Sequence, residues 1–175
     1  NKSRKMGESI QKLTHIEHVL KRPDSYVGPV DISSEPYWIH HKTDNRFKKK
    51  SINYSPALLK IFDEILVNAI DRNSLYPKGV SSIAAGIDKD TGAVTIENNG
   101  PLGGIAVKMH EKEGVWNPEL TFGHLLTSTN YDDTKKRIVG GRNGYGAKLT
   151  NIYSSEFSVI ITDHENKKTY SQKWE

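Results

Sequence analysis

One long apolar segment limits what this chain can fold into. Ser55 is a helix N-cap residue and Pro56 is the proline favoured at the first helical position. The apolar periodicity that follows predicts a helix as far as Asp71. At about 100° per residue, Glu64, Asn68 and Asp71 share one narrow polar stripe. We expect most of the helix to be buried, because the arc beyond this stripe is apolar: Leu58, Ile61, Phe62, Ile65, Leu66, Ala69 and Ile70.

The polar stripe has two interpretations. Ionised carboxylates on a mostly buried helix are costly unless they are paired or used in chemistry. Glu64 and Asp71 could cap neighbouring loops, which is a structural role. Alternatively, Glu64 is a base and Asn68, one turn later, is a ligand for a cation or a phosphate. A neutral amide oxygen suits Mg²⁺ that already carries phosphate oxygens.

The remaining elements predict an α+β sandwich. Turn-forming residues separate two pairs of strand-like runs, each of which is typical of a hairpin. Two short helical runs lie between the pairs. The mixture of helices and largely antiparallel strands favours a two-layer α+β sandwich with helices on one face of a mixed sheet. The predicted strands are 82–88, 93–97, 157–162 and 169–174, and the predicted helices are 118–126 and a short one after Gly146.

The first fifty residues are expected to be an N-terminal arm, a short helix and a basic loop, followed by a main subdomain over 51–175. Residues 8–20 have near-helical apolar spacing, and 31–51 is a polar stretch that ends in Lys48, Lys49 and Lys50. The three lysines are typical of a solvated loop, and nucleic-acid contact is the alternative. Residues 1–50 hold 11 Lys/Arg against 6 Asp/Glu, whereas 51–175 hold 14 against 15. The net charge of +4 therefore belongs to the first segment.

Composition excludes several classes of protein. The chain has no cysteine, which excludes a disulfide scaffold, a thiolate metal site and cysteine catalysis. Its seven histidines have no zinc-enzyme spacing, and no apolar run approaches the ~20 residues of a membrane span. A length of 175 residues favours one domain. We expect a soluble, intracellular chain with no membrane partner.

The glycine-dense stretch at 140–146 does not match the familiar phosphate-binding motifs. Gly146 is followed by Ala147, Lys148 and Leu149, so both the Walker pattern and the dinucleotide pattern fail. Glycines still let backbone N–H groups approach phosphate, and a helix start with Lys148 in its first turn supplies positive potential. A plain flexible loop is the alternative that the glycines alone leave open.

Taken together, these motifs resemble the ATPase region of eukaryotic type II DNA topoisomerases. This region shares its nucleotide-binding fold with DNA gyrase, the Hsp90 chaperones, MutL and sensor histidine kinases. The resemblance lies in five ordered stretches: IEHVLKRPDSYVG (16–28), KIFDEILVNAID (60–71), IENNG (96–100), FGHLLTSTNYDD (122–133) and GGRNGYGAKL (140–149). The fourth and fifth stretches are specific to the topoisomerase branch.

The resemblance implies roles for individual residues. Glu64 matches the general base that polarises the attacking water, Asn68 the Mg²⁺ ligand, and Asn98 the adenine contact. Tyr26 matches an arm residue that reaches the partner subunit's nucleotide. The ribose and phosphate contacts and the loop over the triphosphate match Ser128, Thr129, Asn130, Gly141, Arg142, Asn143, Gly144, Tyr145, Gly146, Ala147 and Lys148.

The chain departs from the family pattern at two places. After Asn98 it reads Asn99-Gly100-Pro101-Leu102-Gly103-Gly104, which is two residues longer than usual and lacks a proline, so the role of the second glycine passes to Gly103 or Gly104. The family's ATPase region also continues into a transducer domain whose lysine contacts the γ-phosphate, and the present chain stops before it. We therefore expect nucleotide binding with very slow hydrolysis.

The resemblance implies ATP and Mg²⁺ as cofactors, a nuclear location, a nucleotide-dependent homodimeric gate and duplex DNA as the partner of the full-length enzyme. Two alternatives stay open. One is a chaperone or mismatch-repair ATPase of the same fold, and the other is a DNA-binding module with a vestigial nucleotide pocket.

Overall fold

A computed structural model describes residues 10–128 and 144–175. Four α-helices, one short 3-10 helix (Pro23–Ser25) and six strands follow one another in these ranges. The helices are α1 (His15–Lys21), α2 (Pro56–Leu75), α3 (Asn117–Gly123) and α4 (Gly146–Ile152). The strands are β1 (Ser33–His41), β2 (Arg46–Tyr54), β3 (Ser82–Ile87), β4 (Val94–Asn99), β5 (Phe157–Asp163) and β6 (Lys168–Trp174). The predicted α+β class is confirmed.

The described strands pair as three separate antiparallel hairpins: β1 with β2, β3 with β4 and β5 with β6. The two hairpins predicted from the sequence are confirmed to within about two residues at each end. Among the described residues, every strand pairs with its neighbour in sequence. A short turn joins the two strands of each pair, which is enough for antiparallel pairing, whereas parallel pairing would need a long crossover connection.

The basic loop predicted before residue 51 is wrong. Its residues form the β1–β2 hairpin, in which Trp38 pairs with Lys49 and Ile39 with Lys48. The hairpin lacks the usual polar and apolar alternation because both of its faces are largely exposed, and Trp38 and Phe47 are each 66% exposed. The boundary expected between 50 and 51 falls inside β2, and the two-part division remains a prediction.

Helix α2 begins where the sequence predicts. Ser55 is its N-cap, whose side chain accepts a hydrogen bond from the Leu58 backbone N–H, and Pro56 is its first residue. It continues past the predicted end at Asp71 to Leu75. The expected burial is wrong: among its residues only Ala57 and Ala69 are buried, and Leu58 is 64% exposed. The reason is that α2 packs mainly against α4 and the β3–β4 hairpin, which cover only part of its circumference.

The other helices differ from the prediction at their ends. Helix α1 begins at His15, because Thr14 and Glu17 form a capping box in which each side chain bonds the other's backbone N–H. Of the predicted range 8–20, residues 8 and 9 lie outside the described residues. Helix α3 covers Asn117–Gly123 rather than 118–126. Helix α4 begins at Gly146, as expected for the short helix after the glycine loop.

The main hydrophobic core lies between α1, the start of α2 and α4. It contains Val19, Val27, Ala57 and Leu149, with Ile61 and Tyr153 packed against its edge. Val19 is completely buried. The core therefore holds α4, and with it the end of the glycine loop, against α1 and α2.

Candidate active site

The predicted base meets the predicted phosphate loop at the start of α4. Glu64 lies near the middle of α2, and Gly146 is the first residue of α4. A Cβ at Gly146 would overlap the Glu64 carboxylate where it now lies, so a larger residue would require the Glu64 side chain to move. The structure thus brings together two motifs that the sequence places far apart.

Lys60 holds one oxygen of the Glu64 carboxylate. The Lys60 ammonium lies 2.5 Å from Oε1, one helical turn before Glu64, while Oε2 faces Gly146. The Glu64 side chain is 22% exposed. Its carboxylate is therefore fixed on one side and remains open to a small molecule such as water.

Helix α4 is tied to its neighbours by hydrogen bonds from three side chains. The Thr150 hydroxyl donates to the Ile61 carbonyl of α2 at 2.8 Å. The Asn151 amide donates to the Phe122 carbonyl of α3 at 3.0 Å, and the Tyr153 hydroxyl, just after α4, donates to the Val19 carbonyl of α1 at 2.5 Å. Neutral bonds of this kind contribute on the order of 1 kcal/mol each. Together they fix the position of the α4 N-terminus relative to Glu64.

Lys148 is the buried cation of the site. It is only 6% exposed, and its ammonium donates to the Thr127 carbonyl at 2.8 Å. Burial lowers its pKa from 10.5 to about 8. Lys148 therefore links α4, the helix that follows the glycine loop, to the segment that contains the predicted ribose and phosphate contacts.

Asn98 lies in β4 and turns its amide toward the loop that follows. Its Nδ2 donates to the Gly103 carbonyl. Of the two glycines that the sequence left as alternatives, Gly103 is thus the one in contact with Asn98, and it is buried whereas Gly104 is exposed. The two-residue departure from the family pattern forms a packed turn beside the predicted base contact.

Asn68 lies one turn after Glu64 on α2, with an exposed side chain. In the parts of the chain that the structure describes, no group of three or more His, Asp or Glu side chains could hold a metal ion. The neutral amide oxygen of Asn68 suits an ion whose other ligands are phosphate oxygens and water.

Tyr26 belongs to an aromatic cluster at the N-terminal end of α4, where Tyr145 is the N-cap residue. Its hydroxyl lies 2.7 Å from His18 Nδ1, and its ring centroid lies 6.0 Å from that of Tyr145. Tyr145 in turn contacts His15 edge to face, at 5.7 Å between centroids. The structure places Tyr26 against a residue of the predicted phosphate loop in the same chain, and its role toward a partner subunit remains a prediction.

The other predicted contacts divide between described and undescribed residues. Ser128, Gly144 and Ala147 lie in the described ranges, and Ala147 is buried in the first turn of α4. The remaining predicted contacts lie outside the described residues: Thr129, Asn130, Gly141, Arg142 and Asn143.

Sequence reasoning missed four residues that support the site. Lys60 had a signal, because a Lys four residues before a Glu on a helix predicts an ion pair. Arg72, Thr127 and Gly79 had none: their bonds and close contacts join loops and helices that only the folded chain brings together.

The α+β fold brings the predicted base on α2 next to the predicted phosphate loop, which leads into α4. No family model matches the chain. It is 45% identical over 174 residues to a DNA topoisomerase 2 of Penicillium chrysogenum, which covers 99% of this chain and 11% of that relative. The chain therefore spans about a tenth of the length of the curated relatives that it matches.

Two solved structures resemble the chain closely. The ATPase region of Saccharomyces cerevisiae topoisomerase II is 44% identical with a TM-score of 0.89, over 95% of this chain and 43% of that one. The ATPase and transducer domains of DNA topoisomerase II from Balamuthia mandrillaris are 49% identical with a TM-score of 0.90, over 98% of this chain and 43% of that one. The chain is thus homologous, over nearly its whole length, to the ATPase region of eukaryotic type II DNA topoisomerases.

Proposed function

We propose that this chain is the ATP-binding and ATP-hydrolysing part of a type II DNA topoisomerase. The observation that carries the proposal is the contact between Glu64 and Gly146, which places a carboxylate at the start of the helix that follows the phosphate loop. The homology to topoisomerase ATPase regions supports it. The proposed cofactors are ATP and Mg²⁺, and the proposed location is the nucleus.

Five side chains have defined parts in the proposed reaction. Asn68 offers its amide oxygen to the metal ion, and Asn98 offers its own to the adenine. Glu64, held by Lys60, accepts a hydrogen bond from a water molecule and orients it. When bound, ATP supplies the phosphoryl group that the water attacks, and Mg²⁺ neutralises its charge. Lys148 and the backbone N–H groups at the start of α4 supply positive potential to the phosphates.

In the full-length enzyme, the proposed role of ATP binding is to bring two such regions together as a gate that captures duplex DNA. Tyr26 lies on the arm that would reach the partner subunit. In the described part of the chain, no helix is long and apolar enough to cross a membrane.

Calorimetric titration with a non-hydrolysable ATP analogue and Mg²⁺ tests the proposal. We expect binding by the unmodified chain, and at least tenfold weaker binding by Asn98→Ala and Asn68→Ala. Asn53→Ala, an exposed asparagine of β2, is the matched control and should bind normally. Absence of magnesium-dependent binding by the unmodified chain would refute the proposal.

A hydrolysis assay then tests the base. We expect very slow turnover by this chain, which spans 43% of the solved ATPase and transducer domains that it matches. Rapid turnover that disappears in Glu64→Ala would contradict the slow rate but support the assignment of Glu64.

The β1–β2 hairpin favours a second candidate function, nucleic-acid binding. It places Lys49 beside the exposed Trp38 and Lys48 beside Ile39, which is a basic and aromatic surface. Duplex binding by the chain that weakens steeply with salt, without magnesium-dependent binding of the ATP analogue, would favour this candidate.

A further inference from the structure

The loop after β4 is docked tightly against the turn that follows α2. The Leu102 backbone N–H donates to the Gly79 carbonyl at 2.8 Å, and a side chain at Gly79 would overlap Leu102. The Gly103 N–H closes the turn onto the Gly100 carbonyl at 3.1 Å. The loop that departs from the family pattern is therefore held in one position by backbone bonds.

Arg72, in the last turn of α2, bonds the same loop from the other side. Its Nε donates to the Leu102 carbonyl at 2.7 Å, and its guanidinium lies 4.6 Å from the centroid of the Tyr76 ring. Tyr76 is the C-cap residue of α2, so the guanidinium is stacked on the end of its own helix. Because this stacking already orders the Arg72 side chain, the hydrogen bond to Leu102 costs less conformational entropy.

The position of this loop decides which atom of Asn98 is presented to a ligand. An amide has one end that donates and one that accepts, and a carbonyl can bond only the donating end. Because the Gly103 carbonyl accepts from Nδ2, the Oδ1 of Asn98 is assigned as the end that is not directed at the loop. An amide oxygen accepts from the exocyclic amino group of adenine and repels the carbonyl oxygen that hypoxanthine carries at the same place.

We propose that Arg72 is a positioning residue for base selection, which acts through the Leu102 carbonyl and the Gly103 carbonyl to hold the Asn98 amide with its oxygen toward the base. This inference rests on the proposed function, because it assumes that Asn98 faces the base. Without Arg72 the loop loses one of its anchors, and the Asn98 amide can rotate to present its NH₂ group to a base with a carbonyl oxygen.

The test compares two nucleotides that differ at this one group. Non-hydrolysable analogues of ATP and ITP are titrated with Mg²⁺ into the chain, Arg72→Ala, Arg72→Lys and Lys78→Ala. Lys78 is an exposed cation of the same turn, so its variant controls for charge. The loss of a positioning hydrogen bond corresponds to about a 2- to 10-fold effect. We expect Arg72→Ala to narrow the ATP-to-ITP affinity ratio by that factor, Arg72→Lys to restore part of it, and Lys78→Ala to leave it unchanged.

Side-chain amide NMR supplies a readout that does not depend on affinity. The Asn98 Nδ2 protons should exchange with water slowly in the unmodified chain and faster in Arg72→Ala, while the control resembles the unmodified chain. Far-UV circular dichroism identifies a variant that fails to fold; in that case the comparison rests on Arg72→Lys, which should narrow the ratio less than tenfold but measurably.

The outcomes separate the inference from the proposed function. Equal loss of affinity for both nucleotides, or an unchanged ratio in a folded Arg72 variant, would overturn the inference and leave the ATP site standing. Binding of neither nucleotide by the unmodified chain would overturn the proposed function, and this inference with it.

Discussion

The contact between Gly146 and Glu64 predicts strong coupling between two substitutions. In Gly146→Ala, the new Cβ would lie 3.1 Å from Glu64 Cδ and 3.7 Å from its Cβ, and closer still to Oε2. The carboxylate must therefore rotate away. A strained rotamer costs about 0.5–1.5 kcal/mol, and loss of the half-exposed Lys60 pair adds about 0.5 kcal/mol. Alanine in place of a helical glycine offsets about 0.4–1 kcal/mol of this through the unfolded state.

In the single variant, the cost of displacing the Glu64 carboxylate is largely offset by the gain from replacing a helical glycine. In the double variant only the gain remains. We expect Gly146→Ala to lower the free energy of unfolding by no more than about 1.6 kcal/mol. In a Glu64→Ala background the overlap is absent, so the same substitution should stabilise the chain by about 0.4–1 kcal/mol. The difference is a coupling energy of about 1–2 kcal/mol, which urea denaturation of the four proteins in a double-mutant cycle measures.

Gly86→Ala is the matched control for this cycle. Gly86 lies in β3, and a Cβ there would have no neighbour within 4 Å. Its effect should add to that of Glu64→Ala within about 0.3–0.5 kcal/mol. If the Gly146 cycle is equally additive, the carboxylate does not lie against α4, and the argument for the site fails.

Three further predictions concern single groups. Burial lowers the pKa of Lys148 in the folded chain from 10.5 to about 8, so between these pH values the unfolded chain binds the proton more tightly. The free energy of unfolding should therefore rise from pH 8 to 10.5, and denaturation measured across this range should lose that slope in Lys148→Met. Asp163 accepts hydrogen bonds from the backbone N–H groups of Asn166 and Val107, which lower its pKa to about 2. Its contribution to stability is therefore present above pH 3.8 and lost toward pH 2, and Asp163→Asn should flatten this acid limb in thermal denaturation. Tyr153→Phe removes the bond to the buried Val19 carbonyl and should destabilise the chain by about 1–3 kcal/mol in urea denaturation.

Features that depend on neighbouring residues were predictable from the sequence. Ser55 and Pro56 give α2 its start because capping and a preset φ are local effects. The β3–β4 and β5–β6 hairpins follow from strand-forming runs on either side of turn residues. The stripe that contains Glu64 and Asn68 likewise follows from helical geometry, so the candidate base was found before any packing was known.

Features that depend on packing were not predictable. The β1–β2 hairpin escaped prediction because exposed Trp38 and Phe47 and their lysine neighbours remove the alternation that marks a half-buried strand. The exposure of Leu58 depends on which elements cover α2, and an apolar arc alone does not contain that information. The bond from Arg72 to Leu102 joins a helix end to a loop, and no spacing rule predicts it.

The way α4 is held has a consequence for how the chain reaches its native state. Each of the three hairpins closes only a short turn between neighbouring strands, so the entropy cost of closing it is low and it can form early. The bonds from Thr150 to Ile61 and from Tyr153 to Val19 instead close loops of many tens of residues. Contacts of such large sequence separation slow folding. We therefore expect the docking of α4 to be the slow step of folding, and the candidate active site to be assembled at that step.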